Sequence, residues 1–145
     1  MTWKSLLIVF IFSSSQAMAI AKKQISQNEF NQLYEAEIKP LFAKSCFECH
    51  SQNNELPWFH NLPVIKEIMD EHIAQAQKHL DLTHGFKNYK ADQIQFKLDL
   101  IAHTVRNDLM PPKSYRLTHR VALTEQDKAA IENWIAKSRS LLTLN

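Results

Sequence analysis

One glycine, Gly85, occurs in 145 residues. Nothing else in the sequence constrains the fold as much. Tight hairpins call for positive φ, which glycine adopts without steric cost, so this chain has few means of turning a meander of strands. Its apolar residues repeat instead at three and four. Phe30, Leu33, Tyr34, Ile38 and Leu41 form one stripe, and Ile65, Ile68, Met69, His72, Ala76 and Leu80 a second. Ile94, Leu98, Ile101, Ala102 and Val105 form a third, and Ala130, Ile131, Trp134, Ile135 and Ser138 a fourth. The spacing predicts a small all-α domain of about four helices. Pro40 is expected to end the first near Lys39, and Pro63 to open the second from its first turn. Thr124, with Asp127 three residues on, is expected to cap the fourth. Trp134 is expected in the core against the first helix. Residues 51–62, 81–90 and 107–123 read as long loops, and loops of that length need something to pack against.

Both cysteines of the chain lie in Cys46-Phe47-Glu48-Cys49-His50. This is Cys-x-x-Cys-His, the attachment signature of a c-type haem. Two thiols three residues apart can add across the two vinyl groups of one haem, and the adjacent His50 then reaches the iron from the proximal side. The expected cofactor is one haem c, linked through Cys46 and Cys49. Zinc would call for a second cysteine pair, which the chain lacks, or a histidine pair at finger spacing, and none shows that spacing near the motif. A thiol–disulfide centre would also use a Cys-x-x-Cys pair, but His50 and the absence of a βαβ pattern argue against it.

The first residues fit this chemistry. Lys4, the apolar run Leu6–Phe12, a serine-rich stretch and Ala17-Met18-Ala19 make a secretory signal peptide over residues 1–19. An uncleaved anchor is the rival reading. Residues 20–145 are then expected to form one haem-binding domain in the periplasm, with no membrane span after cleavage. Without Lys4 that part carries sixteen basic and fifteen acidic residues, interspersed, so neither nucleic acid nor a lipid surface is implied as a partner.

A second axial ligand should be Met or His. Met69 lies on the apolar face of the second helix, where core packing accounts for it. Met110 stands in Asp108-Leu109-Met110-Pro111-Pro112, where two prolines stiffen the backbone after it, and is the expected sixth ligand. His60, His72, His79, His84, His103 and His119 are its rivals. Trp58 and Tyr115 are expected against the haem, with their polar tips toward a propionate, and Arg116 and Arg120 are placed to do the same.

These segments carry a resemblance. The stretch Leu41 to Ser51, then Leu56-Pro57-Trp58-Phe59, Lys78-His79-Leu80-Asp81-Leu82, Met110-Pro111-Pro112-Lys113-Ser114-Tyr115, and Leu123 to Lys128 with Trp134, resembles the single-haem "haem-binding domain" family of exported bacterial proteins. More distantly it is similar to class I cytochromes c. The chain departs from the family pattern at Ala76-Gln77, in place of Gly-Arg, and at His84-Gly85, in place of an aromatic residue. The resemblance implies Cys46 and Cys49 as attachment points, His50 as proximal ligand and Met110 as distal ligand. The function expected is one-electron transfer with a redox partner protein, without acid–base catalysis. The alternative is a haem sensor or peroxidase-like protein whose sixth position opens, with His103 assisting.

Overall fold

The first helix does not stop at Pro40. In the computed structural model, which describes residues 27–53, 55–119 and 122–143, α1 runs unbroken over residues 27–45. Its middle, Tyr34–Ile38, is a π turn, and an α segment Lys39–Ser45 follows. The Lys39 N–H reaches back five residues to the Tyr34 carbonyl, which resets the hydrogen-bond ladder one residue before the proline. Pro40 then falls in the first turn of a new segment, where its missing N–H leaves no ladder bond unmade. The expected break is therefore absorbed by a π turn.

The remaining elements are α2 (Phe47–His50), a 3₁₀ turn (Trp58–Asn61), α3 (Pro63–His79), α4 (Ala91–Arg106), α5 (Lys113–His119) and α6 (Glu125–Thr143). Every regular element among the described residues is helical, as the spacing predicts. Pro63 does open α3. Thr124 and Asp127 cap α6 reciprocally: the Thr124 N–H donates to Asp127 Oδ2 at 2.8 Å, and the Asp127 N–H to Thr124 Oγ1 at 3.1 Å. The 3₁₀ turn and α5 fall in stretches that read as loops. The expected signal peptide and Arg120 lie outside the described residues. No helix among the described residues is long and apolar enough to cross a membrane.

The core is built by α1, α4, α6 and the segment between α3 and α4. Phe30, Tyr34, Ile38 and Phe42 meet Leu82 and Phe86, the five-residue stripe of α4, and Ile131, Trp134, Ile135 and Leu142 of α6. Trp134 is fully buried at the centre, with its ring centroid 5.7 to 6.2 Å from those of Phe30, Tyr34, Phe42 and Phe86. Edge-on and tilted arrangements of this kind suit the ring quadrupoles.

The single glycine has a definite task here. Gly85 sits at φ +62°, and a Cβ there would lie 2.8 Å from Tyr34 Cε1. Left-handed backbone disfavours a side chain, and the Tyr34 ring, pinned under Phe42, Phe86 and Trp134, has no room to retreat. We expect Gly85→Ala to cost about 2–4 kcal/mol, the sum of backbone strain and overpacking, measured as a lower urea midpoint at unchanged slope.

One helix stands apart. α3 packs against α2 and the 3₁₀ turn, and buries none of its residues fully. Met69, Ile73 and Ala76 are half-buried, while Val64, Ile65 and Ile68 are 69%, 36% and 53% exposed. An apolar side chain left in water forgoes roughly 1.5–3 kcal/mol of burial. A helix with its apolar face open is thus an unfinished piece of core beside the Cys-x-x-Cys-His turn.

Candidate functional site

Cys46 is the N-cap of α2, and Cys49 and His50 complete its single turn. Residues three apart on a helix project from one side, so both sulfurs share a face. The thiols are unbridged. Burial pushes the Cys46 thiol up to about 12, with the neighbouring Cys49 adding to the shift. Burial raises Cys49 too, and Glu48 adds to it. Both are therefore protonated at neutral pH. A dithiol catalyst needs the reverse, a thiolate stabilised near or below pH 7.

His50 is held at two points by the segment that follows α3. Its Nδ1 lies 2.8 Å from the Leu80 carbonyl, and its own carbonyl accepts the Leu82 N–H at 2.6 Å. A carbonyl only accepts, so Nδ1 carries the proton and Nε2 keeps its lone pair. Burial lowers the His50 pKa, against the opposing pull of the Leu80 and Ala76 carbonyls. The imidazole is thus neutral, fixed in tautomer and fixed in orientation, which is the state a metal ligand requires.

The clamping segment is itself braced. The Tyr89 hydroxyl accepts the Asp81 N–H at 2.7 Å and donates to the Asp81 carbonyl at 3.1 Å. Asp81 Oδ1 accepts the Thr83 N–H at 2.8 Å, and Thr83 Oγ1 accepts the Gln52 N–H at 3.0 Å. The Lys97 ammonium, from α4, bonds the His79 carbonyl at the end of α3, where a cation also suits the helix dipole. Residues 80–83 thus connect the core to the histidine ring.

Met110 follows the end of α4. That end is a Schellman turn with Asp108 in the left-handed position usually given to glycine, at φ +54°. The Leu109 N–H bonds the Thr104 carbonyl at 2.9 Å, and the Asp108 N–H bonds the Val105 carbonyl at 3.2 Å. The Asp108 carboxylate meets Lys128 Nζ at 2.9 Å and Arg116 Nη1 at 3.8 Å. The Lys128 ammonium holds its carboxyl below the usual carboxylate range. Beyond the two prolines, the Tyr115 hydroxyl donates to Glu48 Oε2 at 2.8 Å. This bond joins α5 to the motif turn itself. Leu109 and Met110 remain 51% and 40% exposed.

The structure therefore brings Tyr115 to the motif, but with its hydroxyl on Glu48, where the sequence reading gave it to a propionate. Trp58 lies on the 3₁₀ turn, 78% exposed, its ring edge-on to Phe59 at 5.9 Å. Arg116 is engaged with Asp108. Among the rival histidines, His60 gives Nε2 to Asp70 Oδ1 at 2.7 Å, and His103 stands exposed against Asn107. His72, His79 and His84 are exposed, and the His119 side chain lies outside the described residues. The Leu80 carbonyl, Tyr89, Asp108 and Glu48 are the residues that sequence reasoning missed.

These residues fit a haem. One neutral histidine is held in a fixed orientation, two thiols share its side of a helical turn, and the open apolar face of α3 stands alongside. The comparison with known proteins agrees. Residues 5–137 match the model of the haem-binding domain family. The chain belongs to that family. It is also 31% identical over 103 residues to the cytochrome c peroxidase Ccp of Escherichia coli (strain K12), a match covering 69% of this chain and 22% of that protein. The chain thus spans less than a quarter of that relative's length. No solved structure matched. As a haem-binding domain, the chain combines a preformed histidine with an apolar face that the described residues leave uncovered.

Proposed function

We propose that this haem-binding domain works in the periplasm as a monohaem c-type protein that passes single electrons between redox partner proteins. Cys46 and Cys49 would hold the haem through thioethers, with His50 and Met110 on the two sides of the iron. The observation that carries the reading is the Nδ1–Leu80 bond, which fixes the tautomer and the orientation of a neutral His50. A bound haem would supply one-electron Fe(II)/Fe(III) chemistry.

The chain's own part is to hold and to exclude. Residues 80–83 keep the imidazole in one orientation, so little rearrangement accompanies a change of charge nearby. The exposed apolar residues Ile65 and Ile68 would give a bound haem an apolar surface to cover. The Met110 loop, stiffened by Pro111 and Pro112, presents a thioether at low entropic cost. No side chain has to act as acid or base.

A second reading rests on the relative named as a cytochrome c peroxidase and on a Met110 that is 40% exposed. In it the methionine leaves and a small molecule takes its place. The two readings differ in one spectrum. The reduced protein, produced with haem-maturation machinery, is expected to resist carbon monoxide, and the oxidised protein to show the methionine-to-iron charge-transfer band. Met110→Ala is expected to lose that band and to bind carbon monoxide readily, while His72→Ala and His103→Ala keep the parent spectrum. Ready carbon monoxide binding by the parent would favour the open-site reading.

A further inference from the structure

We propose that Tyr115 is a positioning residue, whose bond to Glu48 latches the Met110 loop to the Cys-x-x-Cys-His turn and thereby sets how readily the sixth position opens. The proposal rests on the assignment of Met110 as sixth ligand. It goes beyond that assignment by naming what holds the ligand in place.

Three observations carry it. Burial holds the loop only in part: Pro111 is buried, but Leu109, Met110 and Leu117 are 51%, 40% and 83% exposed. Nor does helix propensity, because α5 has seven residues and a helix that short is marginal in water. Polar anchors stand at the two ends of the loop. The entry is fixed by the Schellman turn and by Asp108 against Lys128 at 2.9 Å, which ties it to α6. The exit is tied by Tyr115 to Glu48 at 2.8 Å, across 67 positions of sequence, to the turn that carries both cysteines and His50. A hydroxyl donating to a carboxylate is among the stronger hydrogen bonds available to a side chain. The entry anchor sets where the loop leaves α4. The exit anchor sets its distance from the motif, and Met110 lies between them.

An external ligand binds in proportion to the open fraction, so loosening the latch raises its apparent affinity without any change in the iron. Tyr115→Phe keeps the ring and removes only the hydroxyl. In the haem-loaded protein we expect it to raise the carbon monoxide affinity of the reduced form about tenfold, equivalent to about 1.4 kcal/mol. The methionine-to-iron band of the oxidised form should weaken, at an unchanged haem load per chain. Glu48→Ala should do the same from the other side, and the double variant should match either single one, because both remove one bond. Fully additive effects would overturn the latch, as would carbon monoxide affinity equal to that of the parent in Tyr115→Phe while Met110→Ala still loses its band. The latter result leaves the ligand assignment standing. An unchanged band in Met110→Ala removes the assignment and the latch together.

Discussion

A chain in which Cys46 and Cys49 are both alanine is expected to yield its haem to acidified acetone, while the parent chain retains it. The structure gives each sulfur a place in that result. Both lie on one side of a single turn, unbridged, and neither has another partner chemistry to serve, since burial keeps them as thiols. His50 remains oriented by Leu80 in the double variant, so residual, reversible haem binding is expected there. The measurement is haem recovered in the organic phase per chain. Retention by the double variant would sink the covalent account while leaving haem binding intact.

The second large effect is on stability. Trp134→Ala is expected to cost about 3–5 kcal/mol, the range for removing a large aromatic side chain from a packed core. Four rings lean on this indole, and all four belong to the cluster that joins α1, the segment after α3, and α6. Against a total of about 5–15 kcal/mol for a domain of this kind, the loss is a large fraction of what holds it folded. In a thermal melt it should appear as a drop of roughly 10–20 °C. Trp134→Phe should lose far less. It keeps an aromatic ring and removes a buried indole N–H that has no acceptor among the described residues. Equal destabilisation by both variants would contradict this picture of the core.

The two readings of the chain, by pattern and by structure, part where contacts are long-range. The stripe of α4 was legible residue by residue, because all five of its apolar positions are buried and helical spacing reports burial directly. The α6 cap was legible because a capping box is local. Pro40 misled because proline ends most helices, and only the neighbouring ladder shows that a π turn has already reset the bonds. The second stripe predicted a buried face on α3, yet the structure leaves Ile65 and Ile68 open. Periodicity marks which side wants to be covered and does not name the cover.

For the site, Cys46, Cys49 and His50 were readable because their chemistry is written in three-residue spacing. Leu80, Tyr89 and Glu48 were not. A backbone carbonyl has no residue type to announce it, and Tyr89 acts through the backbone of Asp81. Tyr115 was singled out for its neighbourhood, but its partner sits 67 positions away, a pairing that no single sequence encodes locally. Gly85 shows the converse. Its rarity was visible at once, and its reason, the Tyr34 ring against its α-carbon, was visible only in the fold.

The central claim is that this haem-binding domain carries its haem by covalent attachment at one motif. Intact mass under denaturing conditions tests it most directly, on the parent chain produced with haem-maturation machinery. The expected result is a single species heavier than the polypeptide by one haem. A polypeptide of unmodified mass, with haem released on denaturation or absent altogether, would contradict it.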